Sequence, residues 1–119
     1  MPEDSVIDPA AIARLHKVGG DKLVGQMIDI FLKNAPERVA AARQGIADGD
    51  SEAIEQAVHS LKSSAGNYGA VSLQTLAGRI EEQAEAKTLE DIPELFHDLE
   101  HLYEQVAAAL RDVVKGLDL

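Results

Sequence analysis

Apolar residues recur at every third or fourth position along most of the chain, which is the period of an amphipathic α-helix. Two long stripes follow this period. The first consists of Leu23, Val24, Met27, Ile30, Phe31, Ala35, Val39, Ala42 and Ile46. The second consists of Ile92, Leu95, Phe96, Leu99, Leu102, Tyr103, Val106, Leu110, Val113 and Val114. Two shorter stripes lie between them, so the pattern predicts a protein built of helices.

Turn and capping residues mark where the first of these helices begin and end. Asp8-Pro9 predicts a helix start, because a carboxylate caps free N–H groups and proline fits the first turn. A short helix over residues 10–17 then ends at Gly19-Gly20. Asp21 is expected to cap a long second helix, which stops at residues 48–49.

Similar signals place the remaining helices. Pro36 predicts a kink in the second helix but no break, because the apolar stripe continues in phase on both sides. Asp50 or Ser51 would cap the third helix, which runs to about residue 67. The fourth helix uses the stripe of Leu73, Leu76, Ala77, Ile80 and Ala84. Asp91 with Glu94 predicts a capping box at the start of the last helix.

The connections between these helices are short, and short connections place successive helices side by side in opposite directions. We therefore predict an all-α protein: an antiparallel up-down four-helix bundle with a short N-terminal helix across one end. A length of 119 residues fits one domain over residues 1–119, with residues 1–7 as a loose N-terminal tail.

Charge and composition exclude several classes of function. A formal net charge of −10 argues against binding to nucleic acid or to anionic membrane surfaces. The absence of cysteine excludes disulfides, thiolate catalysis and cysteine metal sites. The acidic start of the chain is unlike a signal peptide, and no apolar stretch approaches the roughly 20 residues that span a bilayer. We expect a cytoplasmic monomer with no metal or cofactor of its own.

The third helix carries the most informative pattern. At about 100° per residue, His59 and Leu61 lie almost back to back, so a buried Leu61 implies an exposed His59. Most histidines on a solvated helix face have no function. Here, however, Lys62 lies one turn away and can balance an anion on the ring, while Ser63 and Gly66 leave the surface open. A glycine inside a helix costs roughly 1 kcal/mol relative to alanine, which indicates close approach by another group.

This run resembles the signature of the histidine-containing phosphotransfer (HPt) domain, H-x-L-K-G-S-[SA]-x-x-x-G-A. It stands here as His59-Ser60-Leu61-Lys62-Ser63-Ser64-Ala65-Gly66-Asn67-Tyr68-Gly69-Ala70. The likeness extends from about Ile7 to the C-terminus, as a five-helix layout of family-like length. One departure is Ser63, where the family usually has glycine. Serine still leaves room, but its larger side chain affects how closely a partner packs.

The resemblance implies a role in a bacterial-type phosphorelay of a two-component system. His59 would be the phosphorylated nucleophile, and Lys62 would support the charge of the phosphoryl oxygens. Glu81 would orient the His59 ring, since the family has a polar side chain near the ring at the matching position. The residues implied in partner binding are Glu55, Ser63, Gly66 and Asn67.

The implied partners are response-regulator receiver domains, whose aspartates donate and accept the phosphoryl group, and a hybrid histidine kinase. Mg²⁺ would lie on the receiver. The protein would be a phosphocarrier and no enzyme, which agrees with the absence of a glycine-rich phosphate loop for ATP from the sequence.

Two other functions compete with this one. The bundle could be an adaptor that binds a receiver domain or another signalling partner without carrying phosphate. A metal-dependent hydrolase is the third possibility, because His97-Asp98-Leu99-Glu100-His101 matches the H-x-x-E-H pattern. Both histidines are expected on the wet face opposite Leu99, and only 18 residues follow to supply a third ligand, so we interpret them as surface residues.

Overall fold

The computed structural model describes residues 6–118, which form four helices and no strand. They are α1 (Pro9–Asp48), α2 (Ser51–Gly66), α3 (Val71–Glu85) and α4 (Ile92–Lys115). Each helix contacts two others in a closed ring, with α1 against α2, α2 against α3, α3 against α4, and α4 against α1. The predicted all-α four-helix bundle is confirmed. No helix within the described residues has the length and apolar character needed to cross a membrane.

The first helix is interrupted where the sequence predicts it. Asp8 caps it by accepting a hydrogen bond from the Ala10 N–H at 2.9 Å. The backbone leaves the helical region at Gly19 (φ −145°, ψ 15°) and Gly20 (φ 66°, ψ −164°), the second being a conformation that glycine adopts without strain. The short predicted helix is thus the first part of α1. The backbone stays helical around Pro36, so this proline does not break the helix, as predicted.

The prediction that Asp21 caps the long part of α1 is wrong. One oxygen of its carboxylate lies 2.7 Å from His16 Nε2, and the other accepts the backbone N–H of Asp118 at 2.8 Å. The aspartate therefore bridges the glycine break and the C-terminal end of the chain. No local pattern predicts this contact, because Asp21 and Asp118 are far apart in the sequence.

Of the two other predicted helix caps, one forms and one does not. Asp50 caps α2 by accepting the Ala53 N–H at 3.1 Å, as predicted. The capping box at Asp91 does not form, because Asp91 has helical φ and ψ (−90°, −8°) and its side chain makes no cap bond. The N–H groups there are satisfied otherwise: Ile92 donates to the Leu89 carbonyl and Leu95 to the Asp91 carbonyl. Pro93 has no N–H to cap.

The core lies along the inner faces of all four helices. Its largest fully buried side chains are Ile28, Ile54, Leu61, Leu73, Ile80, Ile92, Leu99, Leu110, Val24, Val58 and Val106. Ile7 also belongs to it, with only 7% of its surface exposed, so it is not part of the loose tail predicted for residues 1–7. Residues 1–5 of that tail lie outside the described residues.

The start of α1 lies against the turn between α2 and α3, at one end of the bundle. The Asp8 N–H donates to the Tyr68 carbonyl at 3.1 Å. Gly69 has a positive φ of 65°, and a Cβ placed there would collide with the side chain of Asp8. Glycine is therefore needed at this turn both for its backbone conformation and for close packing. The turn fixes where α2 ends and hence where its exposed face lies.

Tyr68 connects this end of the bundle to α1. Its hydroxyl donates to the Met27 carbonyl at 2.7 Å, and its ring lies 5.1 Å from that of Phe31. Burial raises the pKa of Tyr68 to about 12 from an ordinary value of 10.0. The phenol thus binds its proton more tightly in the folded than in the unfolded chain.

This difference predicts a loss of stability in alkali. Because the folded-state pKa is the higher one, the contribution is complete below pH 10 and disappears as the pH rises to about 12. The loss attributable to Tyr68 should be about 2 kcal/mol. Denaturant unfolding of the wild type and Tyr68→Phe between pH 8 and pH 12 measures it. The phenylalanine variant should start less stable and show a shallower decline; parallel curves would contradict the assignment.

Candidate functional site

The outer face of α2 presents His59. Its side chain is 60% exposed, whereas Leu61, two residues on, is 1% exposed and belongs to the core. The predicted division of the helix into a buried and a wet face is therefore confirmed for this pair. The described part of α2 also exposes Ser63 and Gly66, while Lys62 is half-buried against α3.

Glu81 of α3 connects His59 and Lys62. Its Oε2 lies 2.5 Å from His59 Nδ1, and its Oε1 lies 2.5 Å from Lys62 Nζ. The Glu81 side chain is only 10% exposed. A buried carboxylate requires partners for its charge, and here both oxygens have one. The family resemblance implied that Glu81 lies near the ring, but it did not indicate the bond between Glu81 and Lys62.

The charges in this group follow from its contacts. Burial acts to raise the pKa of Glu81, but its hydrogen bonds with Lys62 and His59 outweigh burial and hold that pKa below its usual value. The hydrogen bond to Glu81 raises the pKa of Lys62. At neutral pH, Glu81 is therefore an anion and Lys62 a cation. A carboxylate only accepts hydrogen bonds, so His59 Nδ1 carries the proton that lies between them.

With the proton on Nδ1, the neutral ring has its lone pair on Nε2. Within residues 6–118, Nε2 has no hydrogen-bond partner. The arrangement thus presents one nucleophilic ring nitrogen to solvent and fixes the ring from behind through Glu81. An ammonium and a carboxylate lie beside it.

The contacts between α2 and α3 follow one antiparallel register, in which residue numbers rise along α2 as they fall along α3. Toward the end of α2, His59 meets Glu81, the Lys62 side chain crosses Gly78, and Gly66 faces Gln74. A Cβ on Gly66 would lie 2.9 Å from Gln74 Nε2. Gly66 remains exposed, and the end of the Gln74 side chain lies beside it.

The model of the Hpt domain family matches residues 26–109. The chain belongs to the Hpt domain family. Its structure also resembles the crystal structure of histidine-containing phosphotransfer protein B from Pseudomonas aeruginosa PAO1, with a TM-score of 0.90 and 24% sequence identity. That match covers 97% of this chain and 99% of the other, and it supports the fold. A comparison with curated proteins gives no match. Membership of the family connects the chain with phosphorelay and two-component signalling.

On this Hpt domain, residues predicted to bind a partner line two depressions, one on each side of α2. Glu55 and Glu85 border a shallow depression beside the ring, which Gln56 and Glu81 also line. Asn67 lies at the other flank, where it borders a groove between α1 and α2. That groove also contains Ile30, whose side chain is 57% exposed, and Arg38. The histidine thus lies between an acidic flank and a partly apolar one.

The histidine pair on α4 of the Hpt domain lies apart from this site. His97 and His101 are exposed, and their rings stand edge to face with centroids 4.8 Å apart. Among the described residues, no group of three or more histidine, cysteine, aspartate or glutamate side chains is placed to hold a metal. The H-x-x-E-H pattern therefore gains no third ligand from residues 6–118.

Sequence reasoning missed two residues of this face, Gly78 and Gln74. The signal for Gly78 was a glycine in the interior of α3, where nothing about helix formation calls for one. No local signal indicates Gln74, because its position against Gly66 depends on the register between two helices.

Proposed function

We propose that this Hpt domain carries a phosphoryl group on Nε2 of His59 and passes it between aspartates of receiver domains. The observation that carries the proposal is the bond from His59 Nδ1 to the buried carboxylate of Glu81, which leaves Nε2 as the free nucleophile on an exposed ring. Phosphoryl transfer depends mainly on positioning and charge compensation, and the site supplies both.

The proposed step needs no cofactor on this chain. The Nε2 lone pair attacks phosphorus of an aspartyl phosphate on the receiver, an N–P bond forms, and the acyl O–P bond breaks. The electron pair leaves with the aspartate carboxylate. The ring becomes positively charged and keeps its proton on Nδ1, where the anion of Glu81 stabilises it. The reverse sequence returns the phosphoryl group to an aspartate.

The remaining residues have supporting roles in this proposal. Lys62 balances the charge of the phosphoryl oxygens, since its ammonium lies on the same carboxylate as the ring. Mg²⁺ would be bound by the receiver and would compensate charge there. The predicted contact residues Glu55, Ser63, Gly66 and Asn67 all reach the surface and would contact the partner.

We place the receiver over His59, with its apolar part in the groove that contains Ile30 and its more basic part over Glu55 and Glu85. This orientation matches apolar with apolar surface and opposite charges with each other. A hybrid histidine kinase would supply the phosphoryl group through its own receiver domain. The protein would act as a monomer in the cytoplasm.

The test is transfer from a phosphorylated receiver domain to the wild-type protein in the presence of Mg²⁺. The expected product is a label that is lost in acid and retained in alkali, with ¹H–³¹P coupling that places phosphorus on Nε2. A ³²P-labelled receiver and gel separation of the two proteins give the rate. Omission of Mg²⁺ is the control for chemistry on the receiver.

Two results would contradict the proposal. Stable binding of the receiver with no label on the bundle would favour the adaptor that was the alternative from the sequence. Label at Nδ1 would contradict the assigned role of Glu81, since that nitrogen would then have had to give up its hydrogen bond.

A further inference from the structure

Gly78 lies near the middle of α3, about one turn before Glu81, and faces α2. A Cβ built on it would lie 3.5 Å from Cδ of Lys62, and no other side chain comes as near to that position. The lysine methylenes therefore cross the helix surface at the one place in this turn where α3 has no side chain. Beyond Gly78 the ammonium reaches Glu81 Oε1 at 2.5 Å.

The backbone does not explain this glycine. Gly78 lies within a helix, and it is absent from the glycines with positive φ, which are Gly20, Gly49 and Gly69. A glycine inside a helix weakens it relative to alanine. Its presence is therefore better explained by what lies over it than by the fold of α3.

The path of the Lys62 side chain supplies that explanation. Its side chain is 35% exposed, which is low for a lysine on the outer side of a bundle, because it lies along α3 and does not extend into water. A larger residue at position 78 would occupy the volume that the lysine methylenes use. The ammonium would then leave Glu81, and the carboxylate would keep only the His59 ring.

We propose that Gly78 is a positioning residue: it keeps α3 bare beneath Lys62, so that Glu81 holds the lysine ammonium beside the His59 ring. The converse arrangement lies one turn away, where a side chain of α3, Gln74, lies over a glycine of α2, Gly66. Two side chains thus cross two glycines on neighbouring helices. The effect of Gly78 on transfer rests on the proposed function, but its effect on Lys62 does not.

The variants that test this inference are Gly78→Ala, Gly78→Leu and, as a matched control, Thr75→Leu at an exposed position of the same helix. Alanine adds a Cβ at ordinary contact distance and should leave transfer within about twofold of wild type. Leucine at position 78 should lower the maximal transfer rate about tenfold, the effect of losing one charge-assisted contact. The receiver concentration at half-maximal rate should stay unchanged, because docking is not the step affected.

Lys62→Met measures the same loss directly. The double variant Gly78→Leu with Lys62→Met should transfer no more slowly than Lys62→Met alone, because the glycine acts only through the lysine. Gly78→Gln repeats the test with a polar side chain if the leucine variant does not fold.

A readout without phosphate separates this inference from the proposed function. The hydrogen bond to Glu81 raises the pKa of Lys62, so an NMR titration of the Lys62 Cε signal should show a lower pKa in Gly78→Leu and no change in Thr75→Leu. An unchanged Lys62 pKa in Gly78→Leu would overturn the inference even if the wild type carries phosphate. A lowered Lys62 pKa in Gly78→Leu, together with no phosphoryl label on the wild type, would support the inference about Gly78 and contradict the proposed phosphocarrier function. A raised half-saturating receiver concentration in Gly78→Ala would also overturn it, since Gly78 would then serve docking.

Discussion

Replacing His59 with glutamine is expected to abolish phosphoryl transfer to this protein and to leave its fold intact. Glutamine has no nucleophilic ring nitrogen, so the label from a phosphorylated receiver should fall to background. The side chain it replaces is 60% exposed, and the glutamine amide can still donate to Glu81. The free energy of unfolding should therefore change by less than about 1 kcal/mol. Labelling and denaturant unfolding of the same preparation measure both effects.

Histidines elsewhere provide the matched controls. His97→Gln and His101→Gln change exposed histidines on α4 that make no contact with Glu81, and both should be labelled at the wild-type rate. Receiver binding by His59→Gln should persist, since the acidic and apolar flanks are unchanged. Label on His59→Gln at the wild-type level would refute the assignment of His59 as the acceptor. Loss of label in His97→Gln would indicate that the acceptor is on α4.

Replacing Glu81 is expected to produce the second-largest loss. In Glu81→Ala the ring loses the acceptor that holds the proton on Nδ1, and Lys62 loses its carboxylate. A hydrogen bond to a charged group contributes about 1.5 to 3 kcal/mol, so transfer should slow about 10-fold to 100-fold. Glu81→Gln keeps an oxygen that accepts from Nδ1 but has no charge for Lys62 or for the ring cation. The transfer rate of Glu81→Gln should lie between those of Glu81→Ala and wild type.

Nitrogen chemical shifts of the His59 ring distinguish positioning from a general loss of structure. At a pH where the ring is uncharged, wild type should show its proton on Nδ1, and Glu81→Ala should show a mixture of the two tautomers. Glu82→Ala is the control, because Glu82 is the next residue of α3 and is exposed. Equal transfer rates in Glu81→Ala and Glu82→Ala would mean that the buried carboxylate does not assist the reaction.

Much of this molecule could be predicted from its pattern of residues. The helical period placed Leu61 inside and His59 outside, and both positions are correct because the period of one helix fixes relative directions along it. Some local motifs were also predicted correctly. Examples are the Asp50 cap and the Gly19-Gly20 interruption.

What failed depends on a local turn before α4 and on contacts between distant segments. The Asp91 capping box did not form because a turn before α4 gives the aspartate a helical backbone. Asp21 bonds to the far end of the chain in place of its own helix. The position of Gln74 beside Gly66 was also not predicted, because it is set by the register between α2 and α3. The same register brings Lys62 to Glu81. The periodicity of a single helix does not predict the register between two helices.

The exposure of His59 has a consequence for the kinetics of the relay. The exposed His59 ring lies on the outer face of α2. If its Nε2 is the acceptor, a receiver that reaches it covers the surface around the ring. On the proposed function, the donor must therefore leave before the next receiver binds, and transfer follows a ping-pong scheme with the free phosphorylated protein as an obligatory intermediate. Between two encounters the N–P bond stands in bulk water. Its lifetime is then a competition between hydrolysis and diffusion, so the abundance of the receivers, more than the bundle itself, decides how much signal survives.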